Sequence, residues 1–431
     1  MATNQAQAAS TIDGNGHLSL STNGMIAILM ATSLALLATP LVAPAMKDLA
    51  VAYAGREEQE ALARGILWLI SWLPGKADIN FLVKFVLLSI PALFIVLAAP
   101  IAGWLADNWG RRPLLIASLI LFTLSGVSGF FVSTFTGLFI GRAFLGLSVA
   151  GIKTATITMA GDFFKGEERA RFLGFQGSAM KAGGVVFMLL GGYLASVHWS
   201  LPFWAYLLAL LALPGAIWSL AESKPQRVVD RPVNAGASIP MLQVSFAFTG
   251  AFLASVLFYL SVVQMNFFLF DAFQLSNFYT GLTVAIGNTV SAIIAFKYVF
   301  VKARLSYVTT FALIFLFMSV GYFVVSIAPS YIVVLLGISC AGLGFGLIVP
   351  NQSAWIIEVV PPERRGFGVG LITTAMFLGQ FAAPILIQPI MDPDDPFQVF
   401  RTASIVLMVL AILYGIAGRF LAKRSVDSLS T

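Results

Sequence analysis

Apolar stretches of about twenty residues recur along this chain, near 25–46, 84–106, 113–133, 137–160, 170–196, 201–221, 241–270, 280–300, 307–328, 331–357, 366–390 and 399–420. Each is long enough to cross the hydrocarbon core of a bilayer as a helix. Lipid offers no partner to an unpaired backbone N–H or C=O, so such runs must be helical throughout. The chain therefore reads as an all-α integral membrane protein with about twelve transmembrane helices. Composition closes off the soluble alternative, because 59% of the 431 residues are hydrophobic and 10% charged, too little polar surface to clothe a globule of that size.

Twelve spans put both termini on one side, and the cytoplasmic loops should then hold the excess of Lys and Arg. The connections assigned inside carry Arg111 and Arg112, then Lys165, Arg169 and Arg171, then Lys224, Arg227 and Arg231, then Lys302 and Arg304, then Arg364 and Arg365. The tail adds Arg419, Lys423 and Arg424. The net charge of +6 is thus a topology signal and not a nucleic-acid footprint. Residues 1–24 are polar without Lys or Arg and read as a cytoplasmic tail, 222–239 as a polar linker, and 422–431 as a second tail. Between them lie two six-span halves, 25–221 and 240–421. The first outer loop, 47–82, is long, and its apolar stretch 62–74 with Trp68 and Trp72 suits the membrane interface or packing on neighbouring loops.

No catalytic chemistry is visible. The single cysteine, Cys340, lies in an apolar run, and the two histidines, His17 and His198, are far apart. Neither a metal cluster nor a nucleophile and base pair is present, and the Gly-rich seams lack the Lys-Ser or Lys-Thr of a phosphate loop. No cofactor, metal or enzymatic activity is expected.

The halves are related. A shift of 196 positions superposes Asp162, Glu167, Arg169, Gly174, Met180 and Gly183 on Glu358, Glu363, Arg365, Gly370, Met376 and Gly379, and Gly141 and Gly146 on Gly337 and Gly342. Charged, small and sulfur-bearing residues in one register are hard to obtain from apolar composition alone, so these are parallel repeats.

Between the second and third spans stands Gly103-Trp-Leu-Ala-Asp107-Asn-Trp-Gly110-Arg111-Arg112-Pro113. It resembles the loop signature of the major facilitator superfamily, with Arg142-Ala-Phe-Leu-Gly146 and Asp162-Phe-Phe-Lys-Gly-Glu-Glu-Arg169 similar to further signatures. The resemblance covers about 25–420 and is nearest the branch of bacterial efflux permeases. It implies two pseudo-symmetric six-helix bundles rocking about a midplane site, in a bacterial inner membrane with both termini cytoplasmic. It also implies that Asp107 faces the cytoplasmic start of the eleventh span, where a carboxylate meets the positive end of a helix dipole. Gly103, Gly110, Arg111, Arg112, Asp162, Arg169, Glu358 and Arg365 would complete a gate on that face.

Charges inside spans cost several kcal/mol unless paired or wetted. Arg142, Lys153 and Lys181 are such charges, with no interior Asp or Glu to match them. Arg142 and Lys153 are eleven residues apart, which puts them on one helical stripe roughly 16 Å long. An electropositive cavity wall suited to a carboxylate, sulfonate or phosphate follows, or else lysine stems that reach backbone carbonyls and water. Gln264, Asn266, Asn288, Asn351, Gln352 and Gln380 are candidates for the opposite wall, or for packing hydrogen bonds. Proton antiporters of this superfamily often carry Gly-Pro ahead of a Gly-Gly pair in the fifth span, whereas Phe187 and Met188 precede Gly191 and Gly192 here. The expected activity is proton-coupled transport of a small organic solute, leaning anionic or amphipathic and outward. Import, uncoupled exchange or a non-transporting sensor of the same fold remain alternatives.

Overall fold

The computed structural model describes residues 20–35, 41–42, 49, 61–70, 89–222, 241–275, 277–387 and 395–427. Among these, every regular element is helical. In chain order they are α1 (Thr22–Ala35), α2 (Ala61–Ile70), α3 (Ile90–Asn108), α4 (Arg111–Phe131), α5 (Phe135–Phe163), α6 (Gly166–Val197), a 3₁₀ helix (Leu201–Ala212) running into α7 (Leu213–Trp218), α8 (Met241–Phe273), α9 (Asn277–Phe296), α10 (Tyr298–Lys302), α11 (Tyr307–Ser326), α12 (Tyr331–Val359), a short 3₁₀ turn (Pro362–Arg364), α13 (Arg365–Ile387) and α14 (Gln398–Asp427). Among the described residues, eleven helical segments are long and apolar enough to cross a membrane, and α1 is a shorter apolar helix of 14 residues. Of the first expected span, 36–40 and 43–46 lie outside the described residues. So does most of the loop 47–82, where α2 is a ten-residue helix carrying Trp68 at 66% exposure. Trp72 lies outside the described residues too, as do 223–239.

Contacts divide the chain into two compact units. One comprises Met1–Phe164, Ala182–Ile239 and Val360–Phe381; the other comprises Lys165–Lys181, Pro240–Val359 and Ala382–Thr431. The 196-residue repeat is legible in this partition, since the same shift carries Lys165–Lys181 into Val360–Phe381.

In the first unit the sixth span departs from a simple α-helix. Twelve residues form 3₁₀ turns before the last six become α-helical. Side chains three apart eclipse in a 3₁₀ helix, so Phe203, Tyr206, Ala209 and Ala212 form one line, and all four are buried. Opposite them, α4 presents Gly126 and Gly129, also three apart. A Cβ at Gly126 or Gly129 would strike the ring of Tyr206 or Phe203 respectively. The two aromatic rings are therefore seated in notches cut into α4. This contact sets up an arginine site described below.

Filling a notch tests the packing. Gly126→Leu should destabilise the protein in detergent by about 1–3 kcal/mol, the range for overpacking, seen as a lower thermal midpoint. Gly192→Leu, where a Cβ meets nothing within 4 Å, should leave the midpoint unchanged.

Candidate functional site

Asp107 lies in the last turn of α3, and its carboxylate is seated on the first turn of α13. Oδ1 accepts the N–H of Gly366 and Oδ2 that of Phe367, both at 2.9 Å. The opening N–H groups of a helix have no partner within it, and the macrodipole adds partial positive charge there. Glycines allow the approach: a Cβ on Gly103 would lie 2.5 Å from the Gly366 carbonyl oxygen, and one on Gly366 would lie 2.5 Å from the Gly103 oxygen. A Cβ on Gly370 would run into the Ala99 carbonyl in the same way.

Arg111, with no solvent exposure, sits between two acids. Its Nη2 donates to Asp107 Oδ1 at 3.3 Å, its Nη1 to the Ala106 carbonyl at 3.0 Å, and its Nε lies 3.1 Å from Asp162 Oδ2. Asp162, at the end of α5, accepts from Arg365 Nη1 at 2.9 Å through its other oxygen, while the same nitrogen donates to the Gly161 carbonyl. Two cations and two anions balance. Removing one member would strand a buried charge, a loss of roughly 3–5 kcal/mol.

A residue that sequence reasoning placed in the linker holds this loop. Glu222 accepts the N–H of Arg111 at 2.9 Å and of Arg112 at 3.2 Å, capping α4 from the far end of the sixth span. Gly110 has φ +126°, a conformation open to glycine, and a Cβ there would collide with the Glu222 carboxylate. Arg112 joins this arrangement, donating to the carbonyls of Ala216 and Ile217. A polar residue after an apolar run carries no signal that it will cap a helix a hundred residues earlier.

The remaining expected gate residues, Arg169 and Glu358, belong to the second unit. Glu358 accepts a hydrogen bond from the Tyr307 hydroxyl, and the Arg169 charge acts on the same tyrosine. Tyr307 also lies under Lys302, whose Nζ is 4.0 Å from the ring centroid, and stacks on Trp355. The repeat shift turns the Asp162 and Arg365 pair into Glu358 and Arg169, and in the second unit Glu358 meets the Tyr307 hydroxyl.

The three span-interior cations have separate settings. Arg142 is fully buried on α5, donating from Nη1 to the Tyr206 hydroxyl at 3.1 Å. Its guanidinium carbon lies 5.2 and 5.4 Å from the ring centroids of Phe203 and Tyr206. Among the described residues its Nε and Nη2 have no hydrogen-bond partner. Lys153, 3% exposed on the same helix, has Nζ 4.8 Å from the Phe377 ring, within the first unit. Lys181 belongs to the second unit, with Nζ 4.2 Å from the Phe258 ring.

Of the amide candidates, Asn351 is committed to structure, accepting from the Tyr298 hydroxyl and donating to the Tyr307 carbonyl. Gln264 and Gln352 are buried, Gln380 is half-buried, and Asn288 lines a cavity. The side chain of Asn266 lies outside the described residues. Every Asp and Glu among the described residues lies in a connection or within three residues of a helix end.

Among the described residues, eleven helices long and apolar enough to cross a membrane, with Arg142 and Lys153 buried within one of them, define a multi-pass membrane protein. A family model for the Major Facilitator Superfamily matches residues 24–384, and the chain belongs to that superfamily. It is 24% identical to the bacillibactin exporter of Bacillus subtilis over 79% of this chain and 87% of that protein. Multidrug resistance protein 1 of the same organism is 26% identical, over 74% and 82%. Similar solved structures include the human organic anion transporter MFSD10 (TM-score 0.75, 20% identity, 91% of this chain and 99% of that chain). The proton:xylose symporter XylE follows at TM-score 0.70, 14% identity, 91% and 95%.

The Glu222 cap predicts a local readout. Glu222→Ala removes an N-terminal cap of about 0.5–2 kcal/mol, so hydrogen exchange at the Arg111 and Arg112 amides should accelerate several-fold. Exchange at the α12 amides should stay unchanged.

Proposed function

We propose that this transporter exports a small organic solute, anionic or amphipathic, by proton-coupled alternating access, with Asp107 closing the cytoplasmic gate. In this reading 25–221 and 240–421 are the two moving halves, 222–239 joins them, and both termini face the cytoplasm of a bacterial inner membrane. The observation that carries the gate is the Asp107 cluster itself. Asp107, Arg111 and Asp162 come from the first half of the sequence and Arg365, Gly366 and Phe367 from the second. Any rocking of one half against the other must break these bonds and later remake them, which is what a reversible lock requires. Arg169 and Glu358, converging on Tyr307, are proposed as the matching element of the second half.

The anionic leaning rests on Arg142, Lys153 and Lys181, three cations within spans whose carboxylates are confined to helix ends. Gln264, Asn266, Asn288, Gln352 and Gln380 are proposed to contribute polar contacts to the solute path. The outward direction is supported by relatives described as exporters and resistance proteins. Proton coupling would use Asp107, Asp162 or Lys181. One observation favours a second reading, import or uncoupled exchange: Phe187 and Met188 stand where proton antiporters often carry Gly-Pro.

Everted membrane vesicles under an interior-acid pH gradient test both parts. Vesicles containing the protein should accumulate a solute from a panel of organic anions and amphipathic dyes. Asp107→Asn should lower that rate at least tenfold at equal protein level, and a protonophore should abolish it. Accumulation confined to right-side-out vesicles would establish import instead, and Asp107-independent flux would remove the gate.

A further inference from the structure

The 196-residue repeat extends to the contacts made by helix starts. In the first unit a Cβ on Gly370 of α13 would lie 2.4 Å from the Ala99 carbonyl oxygen on α3. In the second unit a Cβ on Gly174 of α6 would lie 2.6 Å from the Ala295 carbonyl oxygen on α9. Gly174 is the counterpart of Gly370, and Ala295 that of Ala99. The start of α6 is therefore seated on the end of α9 as the start of α13 is seated on the end of α3. Arg169 and Glu358, the counterparts of Arg365 and Asp162, belong to this second unit.

What differs between the two copies is the charge. Asp107 is matched by Ala303, Arg111 by Tyr307, Gly110 by Ser306 and Glu222 by Gly418. Where Glu222 caps α4 from a distance, Ser306 caps α11 locally, its hydroxyl accepting the Thr309 N–H at 3.2 Å. Gly418 leaves that cap its space, since a Cβ there would lie 2.8 Å from the Thr309 hydroxyl oxygen. Ala303 has no carboxylate to offer the start of α6, and α6 carries Glu167 and Glu168 in its own first turn, where α13 carries no acid. Tyr307 donates its hydroxyl to Glu358, the counterpart of the acid that Arg111 meets. Its ring stacks on Trp355 with the planes 6° apart, and the Lys302 ammonium lies 4.0 Å from its centroid. A bond between a hydroxyl and a carboxylate breaks without separating opposite charges. Glu358 is exposed, so water can replace Tyr307 there, whereas the Asp162 side chain is 7% exposed and Arg111 parted from it is stranded.

We propose that Tyr307 is the positioning residue of a second latch, doing for Glu358 what Arg111 does for Asp162, and that this latch releases the start of α6 more readily than the Asp107 cluster releases the start of α13. The proposal rests on the gate reading above and adds an order to it, with α6 yielding first.

Amide hydrogen exchange reports local opening of such segments. It can be followed on the purified full-length protein in lipid nanodiscs at 170–178 of α6 and at the matching 366–374 of α13, each corrected for its intrinsic sequence rate. In the wild type the α6 segment should exchange at least threefold faster. Tyr307→Phe keeps the ring and its stacking on Trp355 but loses the hydroxyl, and should accelerate the α6 segment at least threefold more while leaving α13 as it was. The double variant Ala303→Asp with Tyr307→Arg restores both charges of the first cluster, and should slow the α6 segment at least threefold below the wild type. A ring that serves packing alone would show neither effect. Equal exchange of the two segments in the wild type, an unchanged α6 segment in Tyr307→Phe, or no slowing in the double variant would each overturn the proposal. Asp107→Asn should accelerate 366–374. If it does not, the Asp107 gate fails, and Tyr307 is still judged by 170–178.

Discussion

A guanidinium withdrawn from water has to be matched where it lies. Arg111 has no solvent exposure, and the fold around it is arranged to supply that match: Asp107 from the end of α3, Asp162 from the end of α5 and a carbonyl one turn back. Asp162 in turn needs Arg365, and Asp107 takes the first amides of α13. Once Arg111 is buried, four helix ends become mutually dependent. Glycines at 103, 366 and 370 follow, because α3 and α13 can approach only where both surfaces are bare. The burial of one cation thus dictates residue types on elements far apart in the chain.

The same logic runs differently for the other buried cations. Arg142 is matched by aromatic faces and one hydroxyl in place of acids, an arrangement in which ring quadrupoles offset part of the desolvation. Lys153 has one ring beside it. The protein thus pairs Arg111 and Arg365 with acids at helix ends, while Arg142 and Lys153 lie within a span against aromatic rings.

Much of this was legible in the sequence, for identifiable reasons. Span-length apolar runs have one solution in lipid, so the helices were readable, and the loop run from Gly103 to Pro113 marked Asp107 and Arg111 by residue type and spacing. The 196-residue register marked Asp162, Arg169, Glu358 and Arg365 as equivalents, and in the structure Asp162 meets Arg365 while Glu358 meets Tyr307. Other features left no trace. Glu222 reads as linker because capping at a distance has no local pattern. Gly126 and Gly129 read as ordinary glycines in an apolar run until Tyr206 and Phe203 are seen across from them. The uniformly apolar run at 201–221 has no periodicity to tell a 3₁₀ helix from an α-helix, since almost every position is hydrophobic. Asn288 and Asn351 look alike in sequence, yet one lines a cavity and the other is consumed by Tyr298 and Tyr307.

The 3₁₀ stretch also sets a length. At about 2.0 Å per residue its twelve residues rise roughly 24 Å, where an α-helix would rise roughly 18 Å. Adding α7 gives the eighteen-residue span a height near 33 Å, enough for a hydrocarbon core of about 30 Å that the same residues would just fail to cross as a continuous α-helix. The sixth span is in this sense stretched. Relaxing its hydrogen bonds from i+3 to i+4 would draw its ends together by about 6 Å. One of those ends leads through Ser219 to Glu222, which grips the start of α4. A change of helix type in an otherwise featureless apolar run would therefore pull directly on the loop that carries Arg111.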